Sequence, residues 1–145
     1  MKQFTWVCIF SLLILLFGAT VYMIFLSEPV QPRLDYYSID SNYVTVVGTV
    51  DHLSYYDSKA LFLAFEDKTV AFQDSTFVIE GKNLETILKN GFEEKVTLGT
   101  QVEFVSAVRV FWDGYEMPIV ALSVNGEVLL PFEEGKQNLL EMIAG

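Results

Sequence analysis

The stretch NYVTVVGTVDHLSYY runs from Asn42 to Tyr56. It is rich in β-branched and aromatic residues, which fit a pleated, half-buried surface. Alternation places Val44, Val46 and Val50 on one face. Gly48 falls on that same face and interrupts it. A glycine inside a strand marks a bulge or a sharp bend. The stretch therefore predicts one long, bent strand.

The chain that follows is dominated by strand signals. Asp57-Ser58 turns into Ala60–Phe65, an apolar run of buried-strand type. Glu66-Asp67-Lys68 turns again into Thr69–Phe72, and Thr76–Ile79 is a further short strand or a continuation past a bulge at Gln73-Asp74-Ser75. One helix comes next. Asn83 has the side chain of an N-cap, Glu85 falls in the first turn, and Leu84, Ile87 and Leu88 share a face. Asn90-Gly91 predicts its stop. Gln101–Phe111 and Met117–Val124 read as strands joined across Trp112-Asp113-Gly114-Tyr115. Asn125-Gly126 is the strongest hairpin signal, because both central residues of a type I′ turn need positive φ. It leads to Glu127–Leu130. After Pro131, Leu139, Leu140 and Ile143 form the stripe of a docking helix, with Gly135 as a weak point in its first turn.

This order, strands, one helix, then strands and a final helix, resembles the OB-fold, the five-stranded Greek-key barrel. The likeness covers Tyr43 to Val124 and lies in strand order. The bent strand around Gly48 fits it, since the first strand of such a barrel serves both sheets, and Leu98-Gly99-Thr100-Gln101-Val102 is similar to the glycine-led entry to a barrel strand. The resemblance implies a small mainly-β α+β domain, an OB-like five-stranded barrel with one inserted helix and a C-terminal helix. An open α+β sheet with one helix on its face is the alternative. The expected core includes Val46, Val50, Leu61, Leu63, Ile87, Val102, Phe104 and Val120.

Ahead of this domain, Phe4–Leu26 is 23 residues without a charge. As a helix it would reach about 34 Å, enough to span a bilayer with a modest tilt. Trp6 and Tyr22 suit the two interfaces, and Cys8 inside the run acts as a small hydrophobe. The run is longer than the apolar part of a signal peptide, and Ala19-Thr20-Val21 puts a large Val where cleavage wants a small residue. A transmembrane helix acting as a signal anchor over residues 1–27 is the expectation. Lys2 and the terminal amine precede the run, while Arg33 is the first basic residue after it. This bias predicts a single-pass protein with its N-terminus cytoplasmic and its C-terminal domain outside the cell membrane. Pro29 and Pro32 predict a stiff linker over 28–33, leaving 34–145 as the extracytoplasmic domain.

Charge narrows the partners. The 145 residues carry 9 Lys and Arg against 19 Asp and Glu, a formal −10. Setting Lys2 aside leaves eight basic residues against the same 19, so everything after the span carries −11. Nucleic acid is excluded as a partner on this balance, since neutralising phosphates needs clustered Lys and Arg. One Cys and one His make neither an internal disulfide nor a zinc site. No phosphate loop, calcium loop or nucleophile elbow is present, so no cofactor, metal or catalytic residue is expected, and the chain does not read as an enzyme. His52 beside Asp51 reads as a solvated pair, as do the acidic pairs Glu66-Asp67, Glu93-Glu94 and Glu133-Glu134.

The functional hint is aromatic. Tyr55, Tyr56 and Asp57 lie at the first hairpin, and Trp112, Asp113 and Tyr115 at the late connection. In an OB-like barrel these two turns flank the ligand face. Rings beside carboxylates can stack on a sugar or hold a basic peptide. Tyr55 and Trp112 are expected as neighbours at one mouth. The sequence thus suggests a membrane-anchored module binding a protein or glycan, or alternatively an immunity or inhibitor protein that uses its acidic surface against a basic partner.

Overall fold

The computed structural model describes residues 13–18, 20, 30–66, 76–107 and 116–145. Most of Phe4–Leu26 lies outside them. Residues 13–18 and 20 are helical and exposed, with Thr20 Oγ1 donating to the Leu16 carbonyl at 2.8 Å. Among the described residues no helix is long and apolar enough to cross a membrane.

Strand β1 (Tyr43–Tyr56) is the long strand the sequence predicts. Its first half, Tyr43 to Thr49, pairs antiparallel with β4 (Gln101–Ala107), and its second half, Val50 to Tyr56, pairs with β2 (Ala60–Phe65). The register shifts between Val50 and His52, just past Gly48. Gly48 is there for contact as well as bend: a Cβ on it would stand 2.9 Å from the Phe65 ring. That ring stacks on Phe104 with centroids 4.4 Å apart and meets Phe77 edge-on at 5.4 Å. The three rings form the centre of the core, where aromatic pairs add to simple burial.

β2 pairs with β3 (Thr76–Glu80), and β3 then runs parallel to β5 (Glu116–Val124), with Phe77 beside Met117 and Val78 beside Pro118. β5 pairs with β4. The circuit β1-β2-β3-β5-β4-β1 closes, so the domain is a five-stranded mixed β-barrel with helices rather than an open sheet. Closure gives each of β1 to β5 a partner strand on both sides for at least part of its length, which shortens the exposed edges. β6 (Glu127–Leu130) adds to β5 through Asn125 and Gly126, at φ 53° and 80°, the positive pair a type I′ turn requires. Its backbone is guarded: Asn90 Nδ2 donates to the Leu129 carbonyl, and Lys95 pairs with Glu127 at 2.6 Å.

The expected core residues are all buried. Val44, placed with them by alternation, is 39% exposed. It lies near the start of β1, beyond the packed part of the face.

Helix α1 (Val30–Ser38) takes in residues 30–33 of the expected linker, whose first two residues lie outside the described ones. Pro32 is its third residue, where an amide has no intrahelical acceptor and its absence costs nothing. Helix α2 (Gly81–Lys89) starts two residues before the expected cap, with Gly81 at φ +57°, so Asn83 is a buried helical residue rather than an N-cap. Leu84 and Ile87 face the core, whereas Leu88 is exposed. Gly91, at φ +81°, ends the helix as expected and leads into the short α3 (Phe92–Lys95), whose Phe92 is fully buried.

Helix α4 (Phe132–Ala144) and α1 cover the outside of β4 and β5 with a second apolar layer. Tyr37, Ala107, Val120 and Leu139 are buried in it, with Tyr43 and Phe132 packed against them. Tyr43 donates its hydroxyl to the Tyr37 carbonyl at 2.8 Å, and Lys136 of α4 pairs with Asp40. Gly135, a weak point by helix propensity, is required: a Cβ there would collide with the Val120 carbonyl, standing 2.7 Å from its carbon.

Candidate functional site

The register of β1 and β2 sorts the three described candidates. Tyr55 lies opposite Leu61, which is fully buried, so it has the parity of the inward set, but at the end of the strand it is itself 41% exposed. Its phenol pKa is raised, first by burial and then by the nearby carboxylate of Glu93 in α3. Tyr56 has the opposite parity, faces outward and is 64% exposed. Asp57 and Ser58 make the tight turn with φ of 47° and 56°, closed by Lys59 N–H donating to the Tyr56 carbonyl at 2.9 Å.

Trp112, Asp113 and Tyr115 lie outside the described residues. The ends of their connection are fixed, however. Ala107 pairs with Tyr43, and Glu116 pairs with Thr76. These positions are at the opposite end of the barrel from Tyr56, Ala60 and Glu80, which pair with one another in sequence. The expectation that Tyr55 and Trp112 sit at one mouth falls on Trp112 and so lies outside the described residues; only the flanking strand ends are placed, with Ala107 beside Tyr43 at one end of β1 and Ala60 beside Tyr56 at the other. β1 and β4 are antiparallel neighbours, so the turn after one and the connection after the other cannot leave from one end.

Between those ends lies an outward face that sequence reading missed. Ser54, Phe62, Val78 and Pro118 form one row across β1, β2, β3 and β5. His52 and Ala64 pair in the row below, and Tyr56, Ala60 and Glu80 in the row above. Phe62 and Ala64 are half-buried, and His52 and Tyr56 are exposed. The signal for Phe62 was hidden because ALFLAF has no polar alternation. Only closure of the barrel, with Leu61, Leu63 and Phe65 inside, turns Phe62 outward.

A cleft adjoins this face where β3 and β5 part beyond Val78 and Pro118. Its volume is about 290 Å³, and its walls include Val78, Pro118, Ile119 and Met142. Asn83 braces it. Its Nδ2 donates to the Gly135 carbonyl at 2.9 Å, and its Oδ1 accepts from Asn138 Nδ2 at 2.9 Å. A buried amide committed at both ends avoids the desolvation cost of an unpaired polar group. At the mouth, Lys82 pairs with Glu141 at 2.7 Å beside Glu80. The Glu141 carboxyl is held below its ordinary pKa by the hydrogen bond from Lys82 and then by that from Gln137, and the Lys82 ammonium is raised by the same contact.

A second groove of about 280 Å³ lies on the outer face of β4 to β6, between Val105, Ala121, Val128 and Phe132. Among the described residues no three His, Cys, Asp or Glu side chains are grouped so as to hold a metal ion. No known protein-family model matches the chain, and no curated protein is similar to it.

Proposed function

We propose that the chain is a membrane-anchored, extracytoplasmic binding module that recognises its partner on the outward face of β1, β2 and β3. The observation that carries this reading is the placement of Tyr56 and Phe62 on one outward face of a barrel whose strand order is that of an OB-like domain. In such barrels the face of strands two and three, with the flanking loops, is the ligand surface. The connection with Trp112, Asp113 and Tyr115 departs from the far end of the same barrel and is proposed as the other border of the site. The anchor is proposed from Phe4–Leu26 and the orientation from Lys2.

The net charge of −10 supports a neutral or basic partner, a glycan or a protein, over an anion. The same charge favours a second reading, an immunity or inhibitor protein that covers a basic partner. Capture from envelope membranes with the full chain in nanodiscs tests both. Tyr56→Ala and Phe62→Ala are expected to reduce capture of the same partner by about tenfold or more, the scale of an aromatic hot spot. Undiminished capture by both variants would reject the face. A single dominant basic protein among the captured material selects the inhibitor reading; retention on a glycan selects the binding module.

A further inference from the structure

The cleft between α2, α4 and the β3–β5 seam adjoins the aromatic face but is lined by neither Tyr56 nor Phe62, and its lining specifies a chemistry. We propose that it is a second binding site, for a primary ammonium carried at the end of an unbranched aliphatic stem.

Three observations support this. The first is construction. Asn83 is 5% exposed and joins α2 to α4 through Gly135 and Asn138, while Gly135 seats α4 directly on Val120 of β5. The walls are therefore fixed relative to one another, and a preformed site spares a ligand the cost of ordering it. Its volume of about 290 Å³ suits a small ligand or a single long side chain.

The second is the wall. Val78, Pro118, Ile119 and Met142 offer hydrocarbon and a thioether, with no charge among them. A methylene stem is bound there by dispersion and loss of water contact. Met adapts its shape to such a stem.

The third is the mouth. Glu80 and Glu141 stand there with Lys82, a formal −1 on a chain of net −10. The protein's own Lys82 ammonium sits 2.7 Å from Glu141 Oε2, so the mouth already holds a cation of this kind. Glu141 Oε1 also accepts from Gln137 at 3.2 Å, so that oxygen is already partly committed. A compact ammonium needs one oxygen. A ligand ammonium would compete with Lys82 for Glu141, which gives the proposal a test with an unusual sign.

The ammonium could belong to a lysine side chain of a protein or to a free diamine, and two probes separate these sources. The full chain in nanodiscs of zwitterionic lipid is titrated with Nα-acetyl-lysine methylamide and with 1,5-diaminopentane. The neutral control is the Nε-acetylated form of the first. Saturable binding of at least one cationic probe is expected, weakened by raising the salt, with the tighter of the two naming the source. Lys82→Met should tighten it about two- to fivefold, the scale of an exposed ion pair. Glu141→Gln should weaken it by a similar factor, and Met142→Trp should abolish it. Lys82 is a surface side chain, so a gain of affinity cannot come from misfolding. Equal binding of the neutral control, no saturable binding of either cation, or no tightening in Lys82→Met would overturn the proposal. None of these outcomes touches Tyr56 or Phe62, so the aromatic face stands or falls on its own experiment.

Discussion

Gly135 of α4 rests against the backbone of Val120 in β5, closer than any residue with a side chain could approach. The contact sets the height of α4 over the sheet and, through Asn83 and Asn138, the shape of the cleft beside it.

Gly135→Ala should therefore destabilise the domain, against the usual trend for a helix interior. Propensity alone would favour Ala by about 1 kcal/mol. The collision with the Val120 carbonyl opposes this by about 1 to 3 kcal/mol or more, the cost of overpacking. Denaturant unfolding should show a lower midpoint, and a raised midpoint would mean that α4 stands off the sheet.

Ser58→Gly should act in the opposite direction. Asp57 and Ser58 both hold positive φ in an exposed turn, at about 1 to 2 kcal/mol for a residue with a Cβ. Glycine removes that strain but loses more chain entropy, so a net gain of about 0.5 to 1 kcal/mol is expected. Thermal unfolding of the single variant measures it.

Asn83→Ala leaves the Gly135 carbonyl and the Asn138 amide without their partner. A loss of about 1 to 3 kcal/mol is expected, the cost of an unsatisfied buried polar group. Asn83→Asp should be no better, because a carboxylate cannot donate to the Gly135 carbonyl. Parallel denaturation of the two variants tests the point.

Tyr43 gives the domain a pH dependence in the alkaline range. Burial first, and then Tyr37, Tyr36 and Asp40, raise its pKa well above the ordinary phenol value of 10.0. The folded state thus favours the neutral phenol. Its contribution is complete below about pH 10 and is lost as pH rises beyond that through the folded value. Unfolding midpoints at pH 8, 10 and 11 should fall more steeply for the parent chain than for Tyr43→Phe. At pH 8 the variant should be weaker by about 0.5 to 1.5 kcal/mol, the worth of the hydrogen bond to Tyr37.

What could be read from the sequence was what local chemistry decides. Asn125-Gly126 takes its two positive φ values because the turn needs them, and Val46, Val102 and Phe104 are buried because alternation puts them inside. What could not be read depends on residues far apart in the chain. Asn83 has the side chain of a cap, yet its partners are Gly135 and Asn138, more than 50 residues on. Gly135 looked like a flaw because only Val120 explains it. Pro32 looked like a break because the first turn of a helix tolerates what its middle does not. The site was legible only in part: the outward direction of Tyr56 follows from its register with Ala60, that of Phe62 depends on barrel closure, and the ends from which the two connections leave depend on strand polarity.

The packing of α1 on α4 also bears on the order of events during synthesis. The first described helix of the barrel domain and the last one share a single apolar layer with Ala107 and Val120. A nascent chain cannot complete that layer until Leu139 has emerged, since non-local contacts form only after the intervening chain is available. A product halted before α4 would leave Tyr37, Ala107 and Val120 uncovered. Prematurely ended copies would thus carry an exposed apolar surface, the feature by which chaperones and proteases distinguish unfinished chains from finished ones.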